Sequence, residues 1–125
     1  MAFHEEAGLR GLLFNALDRW TRRPRLAALL AAAFFALWHY EAQPLASWPD
    51  IFLFGFCACA ALKLGVGIPW LALGHWAADV AWYQRNSGEG DVNFATWLVG
   101  LSLLCIGAYW SWQALPAATG KESSD

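Results

Sequence analysis

The sequence favours an all-α integral membrane protein, in which four transmembrane helices follow an amphipathic interfacial N-terminal helix. Charged residues make up 14% of its 125 residues and hydrophobic residues 58%, whereas soluble domains usually carry about 25% charged residues. The nine tryptophans fit the same class, because indole rings concentrate at the membrane–water boundary. Short polar or Gly/Pro-rich breaks separate the long apolar stretches, as expected for consecutive spans.

Residues 1–23 predict the interfacial helix. Its apolar side chains recur at helical spacing on one face, at Leu9, Leu12, Leu13, Ala16, Leu17 and Trp20. Glu5 and Glu6 suit the electropositive N-terminus of such a helix, and arginines near its end suit anionic lipid headgroups. Pro24 ends or redirects the helix. Packing on the cytoplasmic surface of a partner is an equal alternative, and the segment lacks the apolar core of a secretory signal.

Four spans are predicted at about residues 25–43, 48–66, 69–86 and 93–115, within a transmembrane domain of residues 24–115. A single helix over residues 50–86 would be about 50 Å long, which exceeds a hydrocarbon core of about 30 Å. The glycines at 65 and 67, just before Pro69, provide a turn signal. Residues 116–125 form a polar C-terminal tail.

The charge distribution predicts the orientation in the membrane. With four spans and both termini in the cytoplasm, seven of the eight lysines and arginines fall on the cytoplasmic side. This is the distribution that the positive-inside rule predicts. We therefore expect a bacterial inner membrane protein, in the cytoplasmic or an intracytoplasmic membrane.

Two residue sets fit a helix bundle in lipid. The predicted interfacial anchors are Trp20, Trp38, Trp48, Trp70, Trp82, Trp97, Trp110 and Trp112. The predicted helix-packing residues are Ala28, Ala32, Ala36, Gly55, Cys59, Gly100, Gly107 and Ser111. The three cysteines lie in apolar segments without the spacing of a redox or metal site, so we interpret them as packing residues.

His75 and Asp79 form the candidate buried polar pair. They lie one helical turn apart in an apolar segment, where a central aspartate costs about 3 kcal/mol and needs a partner. A proton or substrate relay, a ligand from His75 to haem or pigment, and a purely structural pair are the alternatives. A haem held by two histidines is disfavoured, because residue counting places His39 about 21 Å and His75 about 9 Å from the inner boundary.

The segment LALGHWAADVAWY resembles the second half of LysE-type amino-acid exporters. The matching string is G-H-W-x-x-D-x-x-W-Y, formed by Gly74, His75, Trp76, Asp79, Trp82 and Tyr83, and the likeness extends over residues 51–115. The chain is much shorter than those exporters and lacks the Asn-Pro and Gly-Pro segments expected near their substrate path. The resemblance therefore implies a half-transporter that dimerises or joins another subunit.

The residues lack the patterns of a soluble catalytic site, a metal site or a nucleic-acid interface, so we expect a protein that is not an enzyme. The first hypothesis is an accessory subunit of a larger bacterial membrane complex, photosynthetic or respiratory. Its partners would be membrane lipids and other transmembrane subunits, with lipid, carotenoid or chlorophyll-type pigment bound on its aromatic faces. The alternatives are a LysE-like amino-acid transporter or half-transporter that uses His75 and Asp79, and an enzyme or cofactor carrier that ligates a pigment through His75.

Overall fold

The computed structural model describes residues 2–86 and 94–116. Every regular element within these residues is helical, which confirms the all-α prediction. The predicted tail beyond residue 116 and the link between the last two helices lie outside the described residues, as do the side-chain surroundings of Trp97 and Gly100.

Five helical segments form the fold. The first, α1, combines an α-helical turn Ala2–Glu5, a π-helical stretch Glu6–Phe14 and an α-helical end Asn15–Thr21. The others are α2 at Pro24–Trp38, α3 at Trp48–Lys63 after a 3-10 turn at Leu45–Ser47, α4 at Ile68–Asn86 and α5 at Phe94–Ala114.

The turn between α3 and α4 is a Schellman motif. Gly65 adopts a left-handed conformation with φ +97°, its amide donates to the Leu62 carbonyl at 3.0 Å, and the Val66 amide donates to the Ala61 carbonyl at 2.9 Å. Glycine suits this position because it has no Cβ to clash in the left-handed region. The turn divides residues 48–86 into two helices.

The core is formed mainly by α2 packing on α3 through small side chains. A Cβ on Gly55 would lie 3.0 Å from Cδ1 of Phe35 and 3.3 Å from Cα of Ala32, so glycine permits an approach that a larger residue could make only if its neighbours shifted. The buried cluster consists of Phe14, Ala27, Ala28, Ala31, Ala32, Phe56, Cys59, Ala60 and Leu115.

Two polar contacts fix which helix ends meet at one end of the bundle. Arg25, at the start of α2, donates from Nε to the Leu115 carbonyl just after α5 at 2.8 Å, and its guanidinium stacks over the Trp112 ring. Lys63, at the end of α3, donates to Asp18 near the end of α1 at 2.6 Å. The ends of α1, α3 and α5 therefore lie with the start of α2.

Leu45–Lys63, which contains α3, is long and apolar enough to cross a membrane, judged by length and composition over the described residues. α2 is apolar but has 15 residues, fewer than the roughly 20 that a span usually needs. The count of four spans therefore stays a prediction.

Candidate active site

The face that α1 buries within the chain carries charged residues. Glu6, Arg10 and Phe14 are 0%, 1% and 0% exposed, whereas Leu12 and Trp20 on the predicted apolar face are 73% and 79% exposed. Residues spaced by four stay on one face of a helix, so Glu6, Arg10 and Phe14 form a single buried row within the π-helical stretch.

Glu6 is the centre of a buried polar network. Its Oε1 forms an ion pair with Arg10, 3.1 Å from Nη1, and lies at hydrogen-bond distance, 2.8 Å, from Nδ1 of His75 in α4. The Arg10 guanidinium also stacks on the Phe35 ring, 4.0 Å from the ring centroid. Because the network is buried, an unpaired charge in it would be costly, and each charged group depends on its protein partner in place of water.

The Glu5 carboxylate lies between two imidazoles. Its Oε2 is 3.8 Å from Nε2 of His39, in the turn after α2, and 3.7 Å from Nε2 of His75. The three ligand atoms lie within 4.8 Å of one another. Glu5, His39 and His75 therefore converge from three different helical segments on one point.

Hydrogen bonds on the opposite ring nitrogens orient both imidazoles. Nδ1 of His39 lies 2.8 Å from the Phe35 carbonyl oxygen, which can only accept, so this nitrogen carries the proton. Nδ1 of His75 likewise faces the carboxylate of Glu6. In the neutral tautomers, each Nε2 then presents a lone pair towards Glu5, which is how paired groups commonly fix histidine for catalysis or metal binding.

His75 is 3% exposed, but the Asp79 side chain is 58% exposed. The two predicted partners lie 3.6 Å apart, between Nε2 and Oδ1, while the shorter contact of His75 is with Glu6. Both ring nitrogens of His75 thus face carboxylates of this chain, and a haem or pigment metal would have to displace one of them. Asp79 lies at the open side of the site.

The depth argument that separated His39 from His75 is wrong, since their ring centroids lie 6.4 Å apart. It assumed that α2 and α4 begin at the same level. The start of α4 instead approaches the middle of α1, where a Cβ on Gly11 would lie 3.9 Å from Cδ1 of Ile68. Gly11 lies ten residues, or about 15 Å, before the end of α1 at Thr21, which adjoins the start of α2. α4 therefore begins about 15 Å further along the bundle than α2. This offset accounts for the predicted gap of about 12 Å between the two histidines.

Aromatic rings and two cavities surround the site. The Phe35 ring centroid lies 4.5 Å from that of His39 and 5.4 Å from that of His75. One cavity of about 150 Å³ adjoins both imidazoles. A wider groove of about 440 Å³ runs between α1 and α2 beside Glu5, and it is lined by His4, Glu5, Gly8, Leu9, Phe34 and Trp38.

Of the other predicted residues, Trp38 lines the groove and Trp82 lines the cavity, and the remaining ones lie outside the site. Among the packing residues, the buried ones are Ala28, Ala32, Ala36, Gly55 and Cys59. A Cβ on Gly107 would meet the Cys57 sulfur at 3.4 Å, and Ser111 is half-buried. Among the anchors, the exposed ones are Trp20, Trp38, Trp70, Trp110 and Trp112, while Trp48 and Trp82 are half-buried.

Sequence reasoning missed Glu5, Glu6 and Arg10 as site residues. Their interpretation as charges that merely suit a helix N-terminus is wrong for Glu6, which is fully buried. The available signal was the spacing of Glu6, Arg10 and Phe14, four residues apart. That spacing is common on exposed helix faces as well, so it marks one face of the helix without showing that the face is buried.

A protein-family model described as "Type II CAAX prenyl endopeptidase Rce1-like" matches residues 1–81. This range contains Glu5, Glu6, Arg10, His39 and His75. Neither the curated proteins nor the solved structures yield a match to the chain.

The family match corrects four predictions. The resemblance to LysE-type exporters is wrong, and the transporter hypothesis loses its support with it. The accessory-subunit hypothesis and the expectation that the chain is not an enzyme are also wrong, because the matched family is one of proteases. The family is embedded in membranes, in agreement with the predicted membrane class. Since the match covers residues 1–81 of 125, the chain belongs to the Rce1-like family of type II CAAX prenyl endopeptidases.

Proposed function

We propose that this chain is a membrane peptidase that hydrolyses a peptide bond with a water activated by Glu5. The observation that carries the proposal is the position of the Glu5 carboxylate, 3.7–3.8 Å from Nε2 of His75 and of His39. These separations are too long for direct hydrogen bonds. They are long enough for one small molecule to lie between Glu5, His39 and His75 and to contact all three.

The distances between the three groups are those that one bridging water would span. With hydrogen bonds of about 2.7–3.2 Å, one water can join atoms that lie up to 4.8 Å apart. Donation to the Glu5 carboxylate and to Nε2 of His39 would use both water protons. The oxygen lone pairs would then be free to attack a carbonyl carbon.

The hydrolysis follows from these positions. Glu5 takes a proton as the water oxygen bonds to the peptide carbon, and negative charge develops on the carbonyl oxygen. His75 in its imidazolium form would donate from Nε2 to that oxygen while Nδ1 stays bound to Glu6. The protonated Glu5 then delivers its proton to the leaving amine as the C–N bond breaks, giving one carboxyl and one amine product.

Arg10 and Glu6 act as positioning residues in this scheme. Their ion pair is 3.1 Å long and fixes the carboxylate that orients His75. Because the pair is buried, it holds the imidazole without competition from solvent. Removing either charge should therefore disturb the orientation of His75 rather than the supply of water.

A metal-dependent peptidase is the second candidate, and the orientation of the two imidazoles favours it. Two histidines and one glutamate form a known ligand set of catalytic zinc, and their opposite nitrogens are hydrogen-bonded as zinc ligands usually are. Zinc bonds of about 2.0–2.1 Å join atoms at most about 4.2 Å apart. Zinc would therefore require some closure of ligand atoms that spread over as much as 4.8 Å.

The lining of the groove beside Glu5 suits an apolar segment of the substrate. Leu9, Phe34 and Trp38 line it next to the carboxylate, so an apolar chain bound there would run directly towards the attacking group. A prenyl group, which the family name specifies, or an apolar peptide segment fits this chemistry. We propose that the substrate reaches Glu5 through this groove.

We also propose that the four predicted spans correspond to α2–α5 in a bacterial inner membrane, with the start of α2 and the C-terminus in the cytoplasm and the site within the bilayer. The contact between Arg25 and the Leu115 carbonyl supports an even number of crossings from α2 to α5, because it joins the start of α2 to the end of α5. α1 runs back along α2, since Glu5 lies 3.8 Å from His39 after the end of α2, so this arrangement departs from the predicted location of both termini in the cytoplasm. Reporter fusions after residues 23 and 116 test it, and opposite locations would contradict it.

Glu5→Gln tests the proposed function. The chain is reconstituted in liposomes with a fluorogenic apolar peptide and with the same peptide carrying a prenylated cysteine. We expect the variant to lose about 100- to 10,000-fold in kcat/KM, the usual contribution of a general base. Glu41→Gln is the matched control, because Glu41 is an exposed carboxylate outside the site.

Retention of wild-type kcat/KM in Glu5→Gln would contradict the proposal. Treatment with a chelator, followed by metal analysis of the purified chain, separates the two candidates. Activity that survives complete removal of metal supports the metal-free scheme. Activity that disappears and returns with added Zn²⁺ supports the zinc scheme.

A further inference from the structure

The cavity on the far side of the imidazoles is distinct from the groove beside Glu5. Its volume is about 150 Å³, and His39 and His75 form one wall of it. An engineered apolar cavity of about this volume holds one benzene molecule. The cavity is therefore the size of a single amino-acid side chain, positioned against the groups that would handle the scissile bond.

The walls of this cavity are apolar near the imidazoles. Phe35, Ile51, Phe54 and Ala78 supply that part of the lining. These side chains offer contacts to methylene groups and no hydrogen bonds. A substrate side chain entering past the imidazoles would first pack its stem on them.

Trp82 and three acidic or amide side chains, Asp50, Asp79 and Gln43, are the other lining residues. Among the side chains that the structure describes, the lining includes no lysine or arginine. Oδ1 of Asp50 and Oε1 of Gln43 are shielded from solvent and have no hydrogen-bond partner among the described residues. Within the described part of the chain, two screened acceptors of different chemical type thus lack a donor, which native structures usually avoid.

The position of Asp50 in the first turn of α3 explains only part of this arrangement. A carboxylate there is favoured by the helix dipole, but the dipole gives its Oδ1 no hydrogen bond. Gln43 precedes the helix, in the segment after α2, and gains nothing from the dipole. A ligand that donates hydrogen bonds and carries positive charge would satisfy both oxygens.

We propose that this cavity is a specificity subsite for a lysine or arginine side chain next to the scissile bond, with Asp50 binding the cationic group. The inference rests on the proposed peptidase function and adds the substrate class to it. The methylene stem would pack on Phe35, Ile51 and Phe54, and the charged head would reach Asp50 and Gln43. Long basic side chains commonly bind in this way, with the stem on apolar surface and the charge at a polar end.

Matched peptides test the subsite. Wild-type chain in liposomes is given peptides that differ only by lysine or norleucine, placed in turn on each side of the scissile bond. On one side, we expect the lysine peptide to have about ten- to a hundredfold higher kcat/KM, the range for a charge-assisted hydrogen bond. Peptides with free and acetylated N-termini distinguish a lysine side chain from an α-amino group as the bound cation.

Asp50→Asn should bring the ratio of kcat/KM for the two peptides close to one, while Glu41→Gln keeps it at the wild-type value. The ratio does not depend on how much enzyme is folded, because both peptides are measured on the same sample. Asp50→Lys should reverse the preference towards a glutamate peptide. Gln43→Leu provides a second variant and should lower the ratio by a smaller factor.

The outcomes separate the subsite from the proposed function. Cleavage without a lysine preference, or a ratio unchanged in Asp50→Asn, overturns the subsite and leaves the peptidase function standing. A preference that follows the free N-terminus rather than lysine also overturns it. Absence of cleavage for every peptide, including the prenylated one, overturns the proposed function itself.

Discussion

Replacing Glu6 by alanine would leave Arg10 buried without its carboxylate, and we expect this change to destabilise the fold by about 3–5 kcal/mol. The magnitude follows from burial, because the Glu6 and Arg10 side chains are 0% and 1% exposed. Water therefore cannot replace the lost partner. The imidazole of His75 loses its 2.8 Å contact in the same variant. Against a typical total stability of about 5–15 kcal/mol, the loss is large.

Reversible unfolding in mixed detergent micelles, followed by tryptophan fluorescence, measures the change. The matched variant is the double substitution Glu6→Met with Arg10→Met, which removes both charges and keeps apolar volume. Because replacement of a whole buried ion pair by apolar residues is often neutral, the double variant should regain most of the lost stability. Its peptidase activity should stay low, since His75 still lacks its carboxylate.

Two results would refute this reasoning. A loss below about 1 kcal/mol in Glu6→Ala, the size expected of an exposed pair, would mean that the ion pair is not buried in the protein. A double variant as unstable as the single one would mean that packing volume, rather than an unpaired charge, is the source of the loss.

Two further substitutions test the packing and the surface charges. Gly55→Ala should destabilise the protein by about 1–3 kcal/mol, because the added Cβ would lie 3.0 Å from the Phe35 ring. We expect a lowered thermal midpoint with reduced peptidase activity, and an unchanged midpoint would contradict the close approach of α2 and α3. Lys63→Met should lower the free energy of unfolding by less than about 1 kcal/mol, because the ion pair of Lys63 with Asp18 is partly exposed. A decrease above about 2 kcal/mol in the same micelle assay would show that solvent screens this ion pair less than its exposure indicates.

The general character of the fold was predictable, because composition and the residues that start and end helices are local properties of the sequence. The apolar content indicates a helical membrane protein, and glycines before Pro69 indicate a turn. The Schellman motif at Gly65 is the structural form of that signal. These signals need no knowledge of which helices meet.

The site was harder to predict because it depends on contacts between distant residues. His75 was identified from the cost of placing it in an apolar helix, but its partner Glu6 lies 69 residues earlier in the chain. Residue counting also assumed a common starting level for α2 and α4. The start of α4 beside Gly11 removes the offset that had separated His39 from His75.

Periodicity alone could not show that α1 buries charged residues. On a wheel of 3.6 residues per turn, Glu5 and Glu6 fall within the same arc as the leucines of α1. The structure buries Glu6, Arg10 and Phe14, because this row meets His75 of α4 and Phe35 of α2. These contacts are distant in sequence, so they cannot be read from a helical wheel.

Hydrolysis in water enriched with oxygen-18 tests the central claim most directly. The reconstituted chain is incubated with the cleavable peptide, and mass spectrometry records the mass of both products. An activated water predicts one oxygen-18 atom in the new carboxyl product and none in the amine product, with little of either product from Glu5→Gln. Product without the heavy oxygen after a single turnover, or equal product from Glu5→Gln, would contradict the account.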